Sequence, residues 1–147
     1  MEQQNKNEYA LWIDSLLTIG GENPNQNVIE LLCKCGGACA KRKGWDENMR
    51  QLGQSMPHFD TRCDCVKFLN EMIPSRFEEA DDGIIQHLGN TSCNCPLSEK
   101  INNPVLCHCS QGNSRAMWSA FFGKPVEIEI VETILRGGKE CAFKIKP

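Results

Sequence analysis

A chain of 147 residues is the size of one ordinary domain and buries a core without cross-links, so its ten cysteines are not needed to rescue a tiny fold. With 40% hydrophobic residues, a net charge of −3 and no long apolar run, the composition excludes a disordered chain and a membrane span. The one basic cluster, Lys41-Arg42-Lys43, is too short for a nucleic-acid footprint in a chain of pI about 5.6, so nucleic acid is not an expected partner.

In chain order, residues 8–19 carry Leu11, Trp12, Leu16, Leu17 and Ile19 at helical spacing, and Gly20-Gly21 ends the pattern. A second helix follows, with Asn23 as cap, Pro24 at its first position and a stripe of Val28, Ile29, Leu32 and Cys33. Gly36-Gly37 weakens that stripe, leaves open whether the helix reaches Cys39, and permits close approach by another backbone. Residues 46–54 and 64–73 read as short helices, with Pro57 and Pro74 as breakers. The first 75 residues are therefore mainly helical.

From residue 80 the pattern changes. Residues 83–89 and 103–109 are expected strands, and 114–123 an expected helix with an apolar face of Met117, Trp118, Phe121 and Phe122. Val126, Ile128 and Ile130 then alternate with Glu127 and Glu129, and Gly137-Gly138 suits a two-residue turn, which predicts a hairpin over 125–146. In that register Arg136 pairs with Lys139 and Ile134 faces Cys141, so Cys141 shares the core face with Phe143 and Ile145. Glu132 falls on the core-facing parity and is expected to line a cavity. The whole is read as a single α+β domain over 1–147, with N-terminal helices packed on a twisted antiparallel sheet of about four strands and one helix between strands.

The cysteines form four Cys-x-Cys pairs, 33/35, 63/65, 93/95 and 107/109, with Cys39 and Cys141 single. The N-terminal MEQQNKNEYALW lacks the features of a secretory signal, so a cytoplasmic location is expected, where thiols stay reduced. Ten thiols there suit metal ligation or redox work better than a disulfide framework, although an even count also permits five disulfides. If 103–109 is a strand, Cys107 and Cys109 project from one face, and Cys93 and Cys95 across a short bend complete a tetrahedral thiolate site. Zinc is the expected occupant of Cys93, Cys95, Cys107 and Cys109, with an iron–sulfur cluster as the lesser alternative.

Cys33 and Cys141 read first as core. Cys35 and Cys39, four apart, form a two-thiolate clamp if the helix continues, and with Cys33 and Cys141 they complete or line the same pocket. Cys63 and Cys65 sit where a helix dipole lowers a thiol pKa, which makes them a candidate reactive pair, or else an exposed turn. His58, His87 and His108 read as loop or structural histidines, with His108 pointing away from its flanking thiols. Among the common catalytic signatures, neither a serine nucleophile elbow, HExxH, a phosphate loop nor a dinucleotide fingerprint is present.

The stretches CNCPL at 93–97, VLCHCSQG at 105–112, GKPVEIE at 123–129 and GGKECAFKI at 137–145 resemble the 4-vinyl reductase small-molecule-binding domain and its relatives. Those relatives include transport-protein-particle subunits and aminothiazoline-carboxylate-hydrolase-like proteins. The resemblance covers about residues 80–146, and the helical half with LCKCGGACA at 32–40 resembles the start of uncharacterised bacterial and archaeal proteins with this tail.

It implies helices on a twisted antiparallel sheet, often in a homodimer, an apolar cavity and, in some members, cysteine-bound zinc. Cys95, Cys109 and Cys141 match the recurrent cysteines, and Gly112, Gly123 and Gly138 the glycines. Thr133, beside Glu132, stands where a cysteine is usual, eight residues before the last one.

Three functions follow as expectations. The first is a zinc-stabilised small-molecule-binding or sensory domain. The second is an enzyme, either a hydrolase akin to the aminothiazoline relatives or one using a thiol or metal. The third is a soft-metal or metalloid handling protein.

Overall fold

The computed structural model describes residues 2–19 and 25–147. In chain order these form α1 (Glu2–Ile19), α2 (Gln26–Lys43), α3 (Trp45–Ser55), α4 (Arg62–Met72), β1 (Arg76–Ala80), β2 (Gly83–His87), α5 (Cys107–Phe122), β3 (Glu127–Glu132) and β4 (Ala142–Lys146). The strands make one antiparallel sheet in the order β1-β2-β4-β3, so the α+β reading holds. The expected Asn23 cap, Pro24 and Gly20-Gly21 lie outside the described residues; Asn25 caps α2, its side chain accepting the Val28 N–H at 3.1 Å.

Alternation in the strands and the apolar face of α5 meet in one core. Ile84, Ile128, Phe143 and Ile145 come from the sheet and Trp118 and Phe121 from α5, all buried. Trp118 stacks edge-on against Phe77 and Phe121, and its indole N–H donates to Gln86 Oε1 at 3.1 Å. Helix α4 seals the sheet edge: the Asn70 amide accepts the Phe77 N–H at 2.8 Å and donates to the Phe77 carbonyl at 3.0 Å, occupying groups that an edge strand leaves open. Glu129 on the outward face pairs with Lys144 and Lys146, as its alternation implies.

Three expectations are corrected. Residues 103–109 are not a strand: Pro104–Leu106 form a 3-10 turn and α5 begins at Cys107. Asn103 caps that turn by accepting the Val105 N–H at 3.0 Å, and proline fits its first position, so the backbone is committed to helix before the cysteines are reached.

The hairpin 125–146 pairs as adjacent strands but not around a two-residue turn. Ile130 faces Phe143 and Ile128 faces Ile145, a slip of two residues from the expected register, with a bulge between Ile130 and Glu132. An even slip preserves parity, so Cys141, Phe143 and Ile145 still face inward. The connection is a 3-10 turn, Ile134–Arg136, closed by Gly137 at φ 84°, and Glu132 accepts the Lys139 N–H at 3.0 Å instead of lining a cavity.

Among the described side chains of α1, Ala10 and Leu17 are buried, against Ile101, Val105 and Leu106. Leu11, Trp12, Leu16 and Ile19 of the expected stripe are exposed. Among the described residues no helix is long and apolar enough to cross a membrane.

Candidate functional site: the thiol band between α2 and α5

Glycine fixes how α2 and α5 meet. A Cβ on Gly36 would lie 1.8 Å from the Cys109 carbonyl oxygen, and one on Gly112 would lie 2.0 Å from that of Cys33. The two backbones therefore touch, and since residue 33 meets 112 while 36 meets 109, the helices run in opposite senses at the contact. Asn113 donates to the Gly36 carbonyl at 3.4 Å, and Arg115 pairs with Glu30 at 3.3 Å. Helix α2 continues unbroken through Gly36-Gly37 to Lys43, which puts Cys35 and Cys39 one turn apart beside this contact.

All ten cysteines are free thiols. Cys109, half-buried on α5, has its thiol pushed up to about 11, first by burial and then by the neighbouring Cys95, Cys35, Cys39 and Cys33. Burial, and after it Cys93 and Cys39 among the thiols, raise Cys95 in the same way. Cys33 is raised by burial and donates a long hydrogen bond to Gln111 Oε1 at 3.8 Å. Gln111, which the sequence pattern did not single out, also donates to the Ile128 carbonyl at 2.7 Å and meets His108 Nδ1 at 2.8 Å. It ties α5 to β3 beside the thiols.

Cys107 belongs to a different group. Two residues along a helix turn through about 200°, so Cys107 and Cys109 cannot share a side as they would on a strand. Cys93, Cys95, Cys107 and Cys141 line a partly open cavity of about 50 Å³. Cys107 Sγ bonds Thr133 Oγ1 at 3.1 Å, and burial raises its thiol despite that bond. Asn90 donates to Cys141 Sγ at 3.3 Å and accepts the Cys141 N–H at 2.9 Å. The seven thiols expected to ligate thus form one band: Cys35, Cys39 and Cys109 at the α2–α5 contact, Cys93, Cys107 and Cys141 around the cavity, and Cys95 belonging to both. Thr133, where the resemblance leads one to look for a cysteine, faces the cavity.

Among the described residues no three His, Cys, Asp or Glu side chains converge closely enough, as they stand, to hold a metal ion. Cys35, Cys39, Cys95 and Cys109 nonetheless have the donor chemistry of a soft-cation site, with four thiols from three segments and Cys35 open to solvent. The expected reactive pair divides: Cys63 is exposed, while Cys65 is buried and its thiol is raised by burial, the opposite of what activation needs. His87 is structural, with Nδ1 2.8 Å from Glu140 and Nε2 3.1 Å from Glu78 but poorly aligned with it. His58 is exposed in its loop.

The model of a family of unknown function, DUF6144, matches residues 1–147. The chain belongs to that family. No curated protein matches it.

Proposed function

We propose that this DUF6144 protein is a thiol-based metal-binding domain of a reducing compartment such as the cytoplasm, with zinc on Cys35, Cys39, Cys95 and Cys109 and a small ligand in the adjoining cavity. The observation that carries the reading is the backbone contact at Gly36 and Gly112, which sets Cys109 of α5 beside the Cys35/Cys39 pair of α2. Such contact excludes every side chain larger than hydrogen from both positions, and its consequence is that thiols from separate segments become neighbours.

Zinc suits four thiolates in a closed, redox-silent site and contributes folding energy on binding. Closing on the ion takes side-chain rotation and movement of residues 93–95, which lie outside helix and strand. A single water takes roughly 10–15 Å³ measured as the cavity is, so about 50 Å³ admits a few water-sized groups and no aromatic ring. That size favours a binding role for small, soft species over hydrolysis of a bulky substrate.

The test is zinc content and free-thiol count of protein purified without added metal. About one zinc per chain is expected, with Cys39→Ser and Cys109→Ser each losing most of it together with thermal stability, and Cys63→Ser keeping both. Full zinc and unchanged melting in both Cys39→Ser and Cys109→Ser would sink the assignment.

A further inference from the structure

Helix α1 carries two apolar stripes, and the fold uses one of them. Ala10, Ile13 and Leu17 face the cluster of Ile101, Val105 and Leu106, beside Cys95 and Cys109. Each of these inward residues is preceded in the chain by an outward one, about 100° away round the helix. The outward residues are Tyr9, Trp12 and Leu16, and Ile19 continues their row. These four stand at i, i+3, i+7 and i+10, the spacing of a seam between helices, and they are 67%, 64%, 49% and 83% exposed. We infer that this stripe is the surface through which two copies of the chain pair, with their α1 helices antiparallel.

Self-complementarity selects a second copy. The aromatic residues occupy the first half of the stripe and the aliphatic ones the second, so an antiparallel mate sets Tyr9 against the partner's Ile19 and Trp12 against the partner's Leu16. A parallel mate would crowd Trp12 on Trp12 and align the two helix dipoles, which is the poorer arrangement. Area agrees. At roughly 150–200 Å² for a fully exposed large side chain, the exposed fractions leave about 450 Å² on each chain. A pair then buries about 900 Å² before the polar flank is counted, near the ~1,000 Å² at which a specific interface begins. The flank is ready for burial, because Ser15 donates its hydroxyl to the Leu11 carbonyl at 2.8 Å and brings no open donor to the seam. A membrane surface fits less well, since residues 8–19 contain Glu8 and Asp14 and neither lysine nor arginine.

Leu11 separates a defined seam from general stickiness. It is 66% exposed but lies about 120° round the helix from the middle of the stripe, so it stays in water when the helices pair. An interface of this size gives a weak dimer, with Kd on the order of 10 μM. The contact needs no metal, so the inference does not depend on zinc at the thiols.

The experiment is sedimentation equilibrium of the reduced, metal-free full chain over about 1–200 μM, a range that brackets the expected Kd. With rising concentration the parent should pass from the 16.5 kDa chain to twice that mass. Trp12→Lys and Leu16→Glu should each weaken pairing about tenfold or more. Both side chains are exposed, so both variants should remain folded, and far-UV circular dichroism verifies this. An equimolar mixture of the two should pair again, because the antiparallel seam sets the new lysine against the new glutamate and leaves the second Trp12–Leu16 contact intact. Leu11→Glu should pair like the parent. Parent-like pairing in folded Trp12→Lys, loss of pairing in Leu11→Glu, or a mixture that stays monomeric would each overturn the inference. A parent chain still monomeric at about 200 μM overturns it too; co-sedimentation with phosphatidylglycerol vesicles would then assign the stripe to a bilayer. Zinc content reports on the thiols alone, so failure of the pairing is distinguishable from failure of the metal site.

Discussion

Replacing Gly36 with alanine tests the contact on which the thiol band depends. The added Cβ would lie 1.8 Å from the Cys109 carbonyl oxygen, 2.8 Å from its carbonyl carbon and 2.7 Å from the Asn113 nitrogen, all backbone atoms of α5. Ordinary contact begins near 3.4 Å, so the helices must part by about 1.6 Å at their crossing, because no rotamer change can relieve a clash with backbone. Alanine gains about 1 kcal/mol in helix propensity, whereas overpacking against a rigid neighbour costs roughly 1–3 kcal/mol and loosened packing along α2 and α5 adds to it. A net loss of about 2 kcal/mol is expected, which for a domain of this size lowers the melting temperature by roughly 4–8 °C.

Gly37 is the internal control. Its added Cβ meets Ala116 Cβ at 3.8 Å and the Gly112 carbonyl oxygen at 3.9 Å, both ordinary contacts, so Gly37→Ala keeps the propensity gain and should be more stable by about 0.5–1 kcal/mol. Urea and thermal denaturation of the reduced, metal-free proteins supply the comparison. If the two variants shift stability in the same direction, or Gly36→Ala melts with the parent, the helices do not meet backbone to backbone and the grouping of Cys109 with Cys35 and Cys39 loses its support.

Two further outcomes follow from the same region. The Cys109 thiol is pushed up from 9.0 to about 11, so the fold favours its neutral form: this contribution is complete below about pH 9 in the metal-free protein and is lost as pH rises through 11. Cys109→Ala should therefore lose less stability than the parent between pH 9 and 11, and matching slopes would contradict the placement; zinc binding, which needs thiolates, should strengthen with pH in the opposite sense. Asn90→Ala removes the acceptor of the Cys141 N–H and the donor to Cys141 Sγ, and should cost about 1–3 kcal/mol and raise amide exchange at Cys141, with parent-like exchange as the contrary result.

Much of the framework was legible in the residues. Helical apolar spacing and proline breakers mark α2 through α4, and strict alternation at 126–130 marks β3 with the correct inward face. Such signals are local: they depend on which backbone a short run prefers, and they survive even a two-residue slip because parity does. Residues 103–109 show the limit, since a short apolar run is compatible with either period, although Asn103-Pro104 already carried the cap and first-turn signature that decides for helix. β1 was missed because RFEEA is mostly charged, and it pairs only because α4 and β2 flank it.

The partition of the thiols was beyond local reading. Whether Cys109 joins Cys107 or Cys35 depends on the helical turn between residues 107 and 109 and on two glycines 76 positions apart that let α2 and α5 touch. The sequence alone determined that soft-donor side chains are present in pairs and that Gly36-Gly37 permits a close approach. Only the tertiary structure decided which backbone approaches, because a contact between distant segments is set by mutual packing of whole helices, and no spacing within either segment encodes its partner.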